Sequence, residues 1–315
     1  MTTAARTIAG QDFLEELISS GHLLPSGEPG LYGRGPVFED VRNRVDALIT
    51  SFSAADHPET PRFPPVMPRR TLEQCGYLKS FPNLCGSVFS FDGSDAEARD
   101  LAKRAGRHQD WSEYLSRTNV AMVPAACYPA YPAIARRGPL PPCGATLDLG
   151  GCYVFRNEPS SDPARLQMFH QRELVRIGET EDVLAWRETW MSRAKEIFES
   201  AGLHPRIEAA SDAFFGHGGK LLAKSQREQR LKFELLVRIS SDQPGAAASF
   251  NFHQDHFGSA FGIRLHDGGI ANSACTGFGL ERIALALFRE HGMTPRDWPA
   301  QVRARLWPDG LVSGS

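Results

Sequence analysis

The chain has 315 residues, of which 41% are hydrophobic and 23% are charged, and its formal net charge is -2. This length and apolar content suffice for one large domain or two small ones, and the balanced charge argues against a surface built mainly to neutralise nucleic-acid phosphates. No apolar run approaches the roughly 20 residues that cross a bilayer, and residues 1–10 lack the pattern of a signal peptide. We therefore expect a cytoplasmic protein that makes no membrane contact.

Six cysteines are scattered along the chain without the close spacing of a disulfide framework. A reducing compartment would keep them as thiols, either as metal ligands or as small core residues. They are Cys75, Cys85, Cys127, Cys143, Cys152 and Cys275.

Residues 1–60 are predicted to form a short helical extension, which leaves 61–315 as the main domain. Apolar spacing typical of helices covers residues 12–20 and 38–52. The segment 27–35 between them contains several glycines and a proline, which favour a loop.

The main domain is predicted to begin with extended and irregular segments. Prolines favour an extended chain over 62–68, a charged surface helix is predicted over 95–108, and 124–142 is rich in proline and alanine and is expected to be a loop. Apolar and alternating residues over 145–158 and 167–177 then predict two strands joined by a turn. These two strands should form a long antiparallel hairpin.

The rest of the chain mixes helices and strands. Residues 183–202 have the apolar stripe of a helix, 233–239 and 249–265 are predicted strands, and 279–291 is a second amphipathic helix. We therefore predict an α+β domain in which a mostly antiparallel sheet is flanked by helices.

The predicted hairpin places charged and aromatic residues together near its turn. Residues two apart on a strand share a face, so Arg156 and Glu158 should project together, as should Arg165, Phe169 and Glu173 on the returning strand. An adenine ring could stack on Phe169 and donate to Glu158, while the two arginines chelate phosphate oxygens. Taken singly, each charged residue is more often part of a surface salt bridge.

A further arginine, Arg282, lies near the start of the helix predicted over 279–291. A cation there opposes the helix macrodipole unless an anion is close by. The terminal phosphate of a nucleotide would supply that anion.

Together these residues make a pattern that resembles a known family of enzymes. Arg-x-Glu, a turn, Arg-x-x-x-Phe-x-x-x-Glu, and then Gly-x-Gly-x-Glu-Arg at a helix start are similar to the second and third motifs of class II aminoacyl-tRNA synthetases, and of the seryl-tRNA synthetase core in particular. Further matching segments occur in the expected order from about Arg62 onward: Phe63–Met67, Gly76–Leu84, Val123–Cys127 and Lys232–Glu234.

This resemblance implies a class II fold, a homodimer, and ATP-dependent activation of an amino-acid carboxylate. Arg156 would stabilise charge at the α-phosphate, and Arg282 would hold the γ-phosphate of a bent ATP. The implied ATP contacts are Arg156, Glu158, Arg165, Leu166, Phe169, Lys232, Ala248, Ser249 and Arg282.

The resemblance also implies a metal ion. Cys127, Glu173 and Cys275 fall at positions that border the amino-acid pocket, and they resemble the Cys, Glu and Cys ligands of the methanogen-type seryl-tRNA synthetases. Two thiolates and a carboxylate would suit tetrahedral Zn²⁺, with a fourth position open to the substrate's amine. From spacing alone, small core cysteines would be the better interpretation.

Two departures from the seryl pattern bear on magnesium and on the substrate. Gly245–Ala248 replaces the Glu and Ser that usually bind Mg²⁺, so we expect Mg²⁺ to come with ATP, held by phosphates and water. Residues 272–275 also differ, so serine is not assured as the substrate, and a pocket partly filled by metal suits a small amino acid such as glycine or alanine. A methylene group is worth only about 1 to 3 kcal/mol of discrimination, so the choice among these three stays open.

The acceptor of the activated amino acid is predicted from the lack of a heptad repeat in the residues before Arg62. Residues before Arg62 contain no long coiled coil of the kind that holds tRNA, so the chain resembles the amino acid:[carrier protein] ligases, whose acceptor is the 4′-phosphopantetheine thiol of a carrier protein. No tRNA partner is then expected. A reduced seryl-type synthetase and a catalytically silent paralogue with a binding or regulatory role are the alternatives.

A basic helix supports a protein acceptor. Its basic residues recur at three- and four-residue steps, which predicts that they share one face of the helix. We expect this face to dock an acidic carrier protein. A solvated charged face is the alternative, since Glu228 interrupts the pattern. The predicted docking residues are Lys220, Lys224, Arg227 and Arg230.

Overall fold

The described part of this computed structural model covers residues 12–215 and 219–310, and it begins with two helices and a small hairpin. Both helices predicted in this region are confirmed. The elements are α1 (residues 12–19), β1 (Leu23–Pro25), β2 (Tyr32–Arg34) and α2 (Pro36–Ser53).

A small lobe follows, in which three strands form an antiparallel sheet. The predicted surface helix is confirmed, and Ser94 caps it by accepting a hydrogen bond from the Glu97 N–H. The prediction that 124–142 is entirely loop is wrong, because an alanine-rich turn of helix there buries Tyr131 and Ile134. The elements are β3 (Val66–Pro68), α3 (Arg69–Gln74), α4 (Tyr77–Ser80), β4 (Ser87–Phe91), α5 (Asp95–Gly106), β5 (Leu115–Met122) and α6 (Ala130–Ala135).

The centre of the molecule is a six-stranded antiparallel sheet flanked by helices, which confirms the predicted α+β class. Its elements are β6 (Ala145–Phe155), β7 (Met168–Gly178), α7 (Thr180–Ser200), β8 (Arg206–Ala209), α8 (Gly219–Glu228), β9 (Lys232–Arg238), β10 (Pro244–Gln254), α9 (His256–Phe261), β11 (Asn272–Gly279), α10 (Leu280–His291) and α11 (Ala300–Leu306). The strand order is β6-β7-β11-β10-β9-β8.

Strands β6 and β7 form the long hairpin that the sequence predicts, closing with Phe155 opposite Met168. The prediction that the first strand continues to Glu158 is wrong. The Asn157 N–H donates to the Leu84 carbonyl, 3.1 Å away in the small lobe, and not to the partner strand. The chain therefore leaves the sheet at Phe155 and runs toward the small lobe.

Strand β10 is shorter than predicted, because it ends at Gln254 and does not continue to Leu265. The Ser259 N–H donates to the Asp255 carbonyl at 2.7 Å, and this bond begins the short helix α9. The turn carries residues 256–261 away from the sheet edge.

Helices α7 and α10 cover one face of the sheet and form the larger hydrophobic core with it. Trp190 and Phe288 are nearly or completely buried, and each such side chain contributes about 1.5–3 kcal/mol by leaving water. Trp186, one turn before Trp190 on α7, is only partly buried, and its indole N–H donates to Asp56. Phe13 of α1 belongs to this core, while the division into 1–60 and 61–315 stays a prediction.

The opposite face of the sheet is covered only in part, by the small lobe and helices α6 and α9. This leaves polar side chains of the central strands free to build a site. No helix within the described residues is long and apolar enough to span a membrane.

Candidate active site

One row of residues crosses four neighbouring strands on the face opposite α7 and α10. Glu173 on β7 pairs with Gly277 on β11, Gly277 pairs with Ser249 on β10, and Ser249 pairs with Glu234 on β9. Directly paired residues of antiparallel strands share a face. A Cβ on Gly277 would lie 3.2 Å from Gln171 Nε2 and 3.4 Å from Glu173 Oε1, so this glycine leaves the middle of the row open.

Cys127, Glu173 and Cys275 meet at one end of this row. Their ligand atoms all lie within 4.8 Å of one another, and no member is more than 3% exposed. Glu173 Oε2 accepts a hydrogen bond from the Cys127 N–H at 2.5 Å, and Cys275 Sγ lies 3.4 Å from Glu173 Oε1. The structure thus brings together the three side chains that the sequence analysis grouped; we call them the cysteine–glutamate cluster.

The chemistry of this cluster fits a zinc ion. Thiolates and a carboxylate are donors that zinc accepts, and three protein ligands leave a fourth position for another group. Burial raises the pKa of Cys127 well above its usual range and also raises the pKa of Glu173. The three groups therefore need a cation in order to ionise together. Within residues 12–215 and 219–310, no other group of three Cys, His, Asp or Glu side chains is arranged to hold a metal ion.

His253 lies beside the cysteine–glutamate cluster. Its Nε2 is 3.5 Å from Cys275 Sγ, and its Nδ1 is 3.0 Å from the Ser273 hydroxyl. Burial lowers the pKa of His253 to about 3, so the ring is neutral near neutral pH. The imidazole therefore adds polar contacts to the cluster without adding charge.

Arg156 and Arg282 approach a common region from two parts of the chain. The Arg156 guanidinium lies 5.6 Å from the centre of the Phe169 ring. Arg282, in the first turn of α10, donates to the carbonyls of Ala164 at 2.8 Å and Ala246 at 2.9 Å. Burial and the charge of Arg156 lower the pKa of Arg282. Two guanidinium groups near a helix N-terminus favour an anion such as phosphate.

The other predicted nucleotide contacts near the hairpin turn and on β10 differ in exposure and in the face of the sheet on which they lie. Glu158 and Arg165 form an ion pair with each other beyond the end of the hairpin, and both are substantially exposed. Leu166 is buried beside them. Ala248 packs into the core beneath the sheet, so only its backbone is available to a ligand, whereas Ser249 faces the row described above.

Lys232 is held by two carboxylates, one of which the sequence analysis missed. Its Nζ lies 2.5 Å from Asp212 Oδ1 and 2.9 Å from Glu234 Oε1. Gln226 of α8 fixes Asp212 by accepting from its N–H at 2.7 Å and donating to Oδ2 at 2.8 Å. Burial opposes the charge on Lys232, but the two carboxylates outweigh it and raise its pKa. Asp212 stands in a loop outside every motif, so no sequence pattern pointed to it.

The predicted basic helix forms as α8, but it holds only three of its four basic residues. The helix ends at Glu228, and Arg230 adopts a left-handed conformation with φ of 52°. Its guanidinium lies 5.3 Å from the centre of the Phe233 ring, so the prediction that Arg230 extends the helical face is wrong. Lys224 is 3.6 Å from Glu228 and its side chain is 72% exposed. Lys220 is also exposed on the same helix.

Comparison of the structure with solved structures identifies the fold. It matches the seryl-tRNA synthetase of Methanopyrus kandleri, solved with a tRNASec of A. aeolicus, with a TM-score of 0.80 at 21% identity, over 95% of this chain and 61% of that one. The chain therefore has the class II aminoacyl-tRNA synthetase fold. No protein-family model matches the chain.

Sequence comparison places the chain more narrowly. It is 46% identical over 278 residues to amino acid–[acyl-carrier-protein] ligase 1 of Bradyrhizobium diazoefficiens, covering 88% of this chain and 85% of that protein. It is also 46% identical over 281 residues to ligase 2 of the same organism, covering 89% and 84%. The chain belongs to the amino acid–[acyl-carrier-protein] ligase family.

Proposed function

We propose that this protein uses ATP to activate a small amino acid and transfers it to a carrier protein. In the first step, the amino-acid carboxylate attacks the α-phosphorus of ATP. Pyrophosphate departs, and the product is an aminoacyl-adenylate. In the second step, the thiol of the carrier's 4′-phosphopantetheine attacks the carbonyl carbon, and AMP leaves as the thioester forms. The observation on which the proposal mainly rests is that β7 places Phe169, with the Arg156 guanidinium over its ring, on the same sheet face as Glu173 of the cysteine–glutamate cluster.

The arginine pair supports ATP as the first substrate. Arg156 would stabilise negative charge that develops at the α-phosphate, and Arg282 would hold the γ-phosphate. The Phe169 ring beside Arg156 offers an adenine a stacking surface. Glu158 and Arg165 would exchange their ion pair for the adenine amine and a phosphate oxygen, since both are exposed and oppositely charged.

The cysteine–glutamate cluster supports the amino acid as the second substrate. Cys127, Glu173 and Cys275 would hold Zn²⁺, which when bound would supply a Lewis acid for the uncharged amine of the substrate. A metal ion held by these three side chains would fill part of the amino-acid pocket, and this favours a small amino acid such as glycine or alanine. Mg²⁺ would enter with ATP, because Gly245–Ala248 offers no carboxylate.

Helix α8 supports a protein acceptor. Lys220, Lys224 and Arg227 project basic groups, and the large apolar side chains of Phe215 and Leu221 nearby in the chain are 59% and 74% exposed. A basic surface with exposed apolar residues suits an acidic carrier protein. A cytoplasmic homodimer without a tRNA partner completes the proposal, and sedimentation velocity would test the dimer.

Pyrophosphate exchange followed by acceptor transfer tests the proposed function. Purified protein is given ATP and a panel of amino acids, and the activated amino acid is then offered to a phosphopantetheinylated carrier protein or to tRNA. We expect exchange with glycine or alanine and a thioester on the carrier only. Transfer to tRNA would favour the reduced synthetase, and no exchange with any amino acid would favour the silent paralogue.

A further inference from the structure

The N-terminal hairpin, residues 23–34, lies against the loop that connects β6 to β7. The Gly30 carbonyl accepts from the Gln167 N–H at 2.8 Å, and the Pro29 carbonyl accepts from the Gln167 side chain at 2.8 Å. Gly30 has φ of 76°, and a Cβ there would lie 3.2 Å from the Arg165 carbonyl. The extension therefore supports the loop that contains Arg165 and Leu166.

Arg34, at the end of the same hairpin, reaches the first turn of α10. Its Nη1 lies 3.1 Å from Glu281 Oε1, and its Nη2 donates to the Tyr153 hydroxyl at 2.7 Å. Glu281 is 1% exposed and also accepts from the His170 N–H and from its ring Nδ1, the latter at 2.7 Å. The buried Glu281 carboxylate thus joins β7 to α10, and Arg34 places a positive charge beside it.

Within the described ranges 12–215 and 219–310, Arg34 is the one Lys or Arg side chain paired with Glu281. A buried carboxylate that loses its cationic partner is strongly destabilised and must move, take up a proton or admit water. Movement of Glu281 would displace the first turn of α10, and a proton or water at this carboxylate would weaken its hold on His170 of β7. Arg282 is the next residue in that turn.

Arg282 in turn contacts the supported loop. Its Nε donates to the Ala164 carbonyl, one residue before Arg165. The loop is therefore held from two sides, by the N-terminal hairpin through Gln167 and by Arg282 from α10. Arg34 links the two supports, because it belongs to the hairpin and contacts the residue before Arg282.

We propose that Arg34 is a positioning residue for ATP: through Glu281 it fixes Arg282 and, with the hairpin, the loop 162–167. The inference rests on the proposed use of this site for ATP. It assigns the N-terminal extension a part in nucleotide binding, although the extension itself lies outside the class II motifs.

Direct measurement of ATP affinity tests this role. Arg34→Met is compared with Arg42→Met, which removes another cation from the same carboxylate, Glu39, without touching Glu281. We expect the Kd for ATP to rise about tenfold in Arg34→Met and by less than about twofold in Arg42→Met. Arg34→Lys, which keeps a positive charge, should recover part of the loss. Unchanged ATP affinity in Arg34→Met would overturn the inference.

A second variant covers the case in which Arg34→Met folds poorly. The double variant Arg34→Met/Glu281→Gln removes the buried charge together with its partner and should restore the thermal stability. Its Kd for ATP should stay raised, since the link to Arg282 is still cut, and a wild-type Kd would contradict the proposal. If the wild-type protein binds ATP but exchanges no pyrophosphate, the proposed reaction fails while this comparison still decides the role of Arg34.

Discussion

The cysteine–glutamate cluster and helix α8 place charge in opposite ways. The cluster sets three ionisable groups on and beside neighbouring strands of a rigid sheet, each at most 3% exposed. Helix α8 sets its basic groups in water, with the Lys224 side chain 72% exposed. Each buried ionisable group needs the charge or hydrogen bonds of its neighbours. A single substitution in the cluster should therefore abolish amino-acid activation. Exposed groups act by their summed field, so changes should have graded effects.

The largest effect is expected from the cluster. Cys275→Ser should bind less zinc and lower pyrophosphate exchange by at least about 100-fold, because one of the three proposed ligands and its thiolate charge are lost. Metal content by plasma mass spectrometry and exchange rates check this together. Cys152→Ala is the matched control, since Cys152 is also buried but lies outside the cluster. Equal metal content in the two variants would contradict the role of Cys275 in metal binding.

The two arginines proposed to contact ATP near the hairpin turn differ in exposure, since Arg156 is partly buried and Arg165 is exposed. Arg156→Met should lower the rate constant for exchange by about 100-fold or more, because it removes charge stabilisation in the transition state. Arg165→Met should act mainly on the KM for ATP, by about tenfold, because Arg165 is exposed and paired with Glu158. Steady-state exchange at varied ATP measures both, and equal losses of the rate constant would contradict the distinction.

Helix α8 should show the graded behaviour. Lys224→Glu/Arg227→Glu should slow thioester transfer about tenfold, with a loss that shrinks as salt is added, while adenylate formation is unchanged. Lys103→Glu/Arg107→Glu places the same charge change in the last turn of the exposed helix α5 and at its C-cap, and it should leave both steps unchanged. Equal loss of both steps in the α8 variant, or no loss, would remove the docking role.

Sequence predicted the cluster and the fold better than it predicted the surroundings of the site. Strand periodicity predicted the hairpin. The resemblance to the methanogen-type seryl-tRNA synthetases grouped Cys127, Glu173 and Cys275, which are far apart in the chain but meet in the structure. The contacts of Asp212 and Arg34 join segments that no local pattern links. Tertiary hydrogen bonds also moved element ends, as at Asn157, where a bond to the small lobe replaces the strand ladder.

The smallest effect is expected where charge is only partly buried, at the pair formed by Asp212 and Lys232. Burial opposes the charge on Asp212, but Lys232 outweighs it and lowers the pKa of Asp212, so its contribution to stability is present above the unfolded pKa near 3.9 and is lost as pH falls through the folded pKa. The raised pKa of Lys232 makes its contribution complete below about 10.4 and lost as pH rises through the folded value.

Asp212→Asn should therefore lower the free energy of unfolding by about 1 kcal/mol near neutral pH, a modest value because the Asp212 side chain is 32% exposed. The difference from wild type should shrink as the pH falls from about 4 through the lowered pKa of folded Asp212, below which the wild-type carboxylate is protonated as well. Urea unfolding across this range measures both curves. A difference that stayed constant with pH would mean that Asp212 stabilises the protein through its hydrogen bonds to Gln226 of α8, and not through its charge.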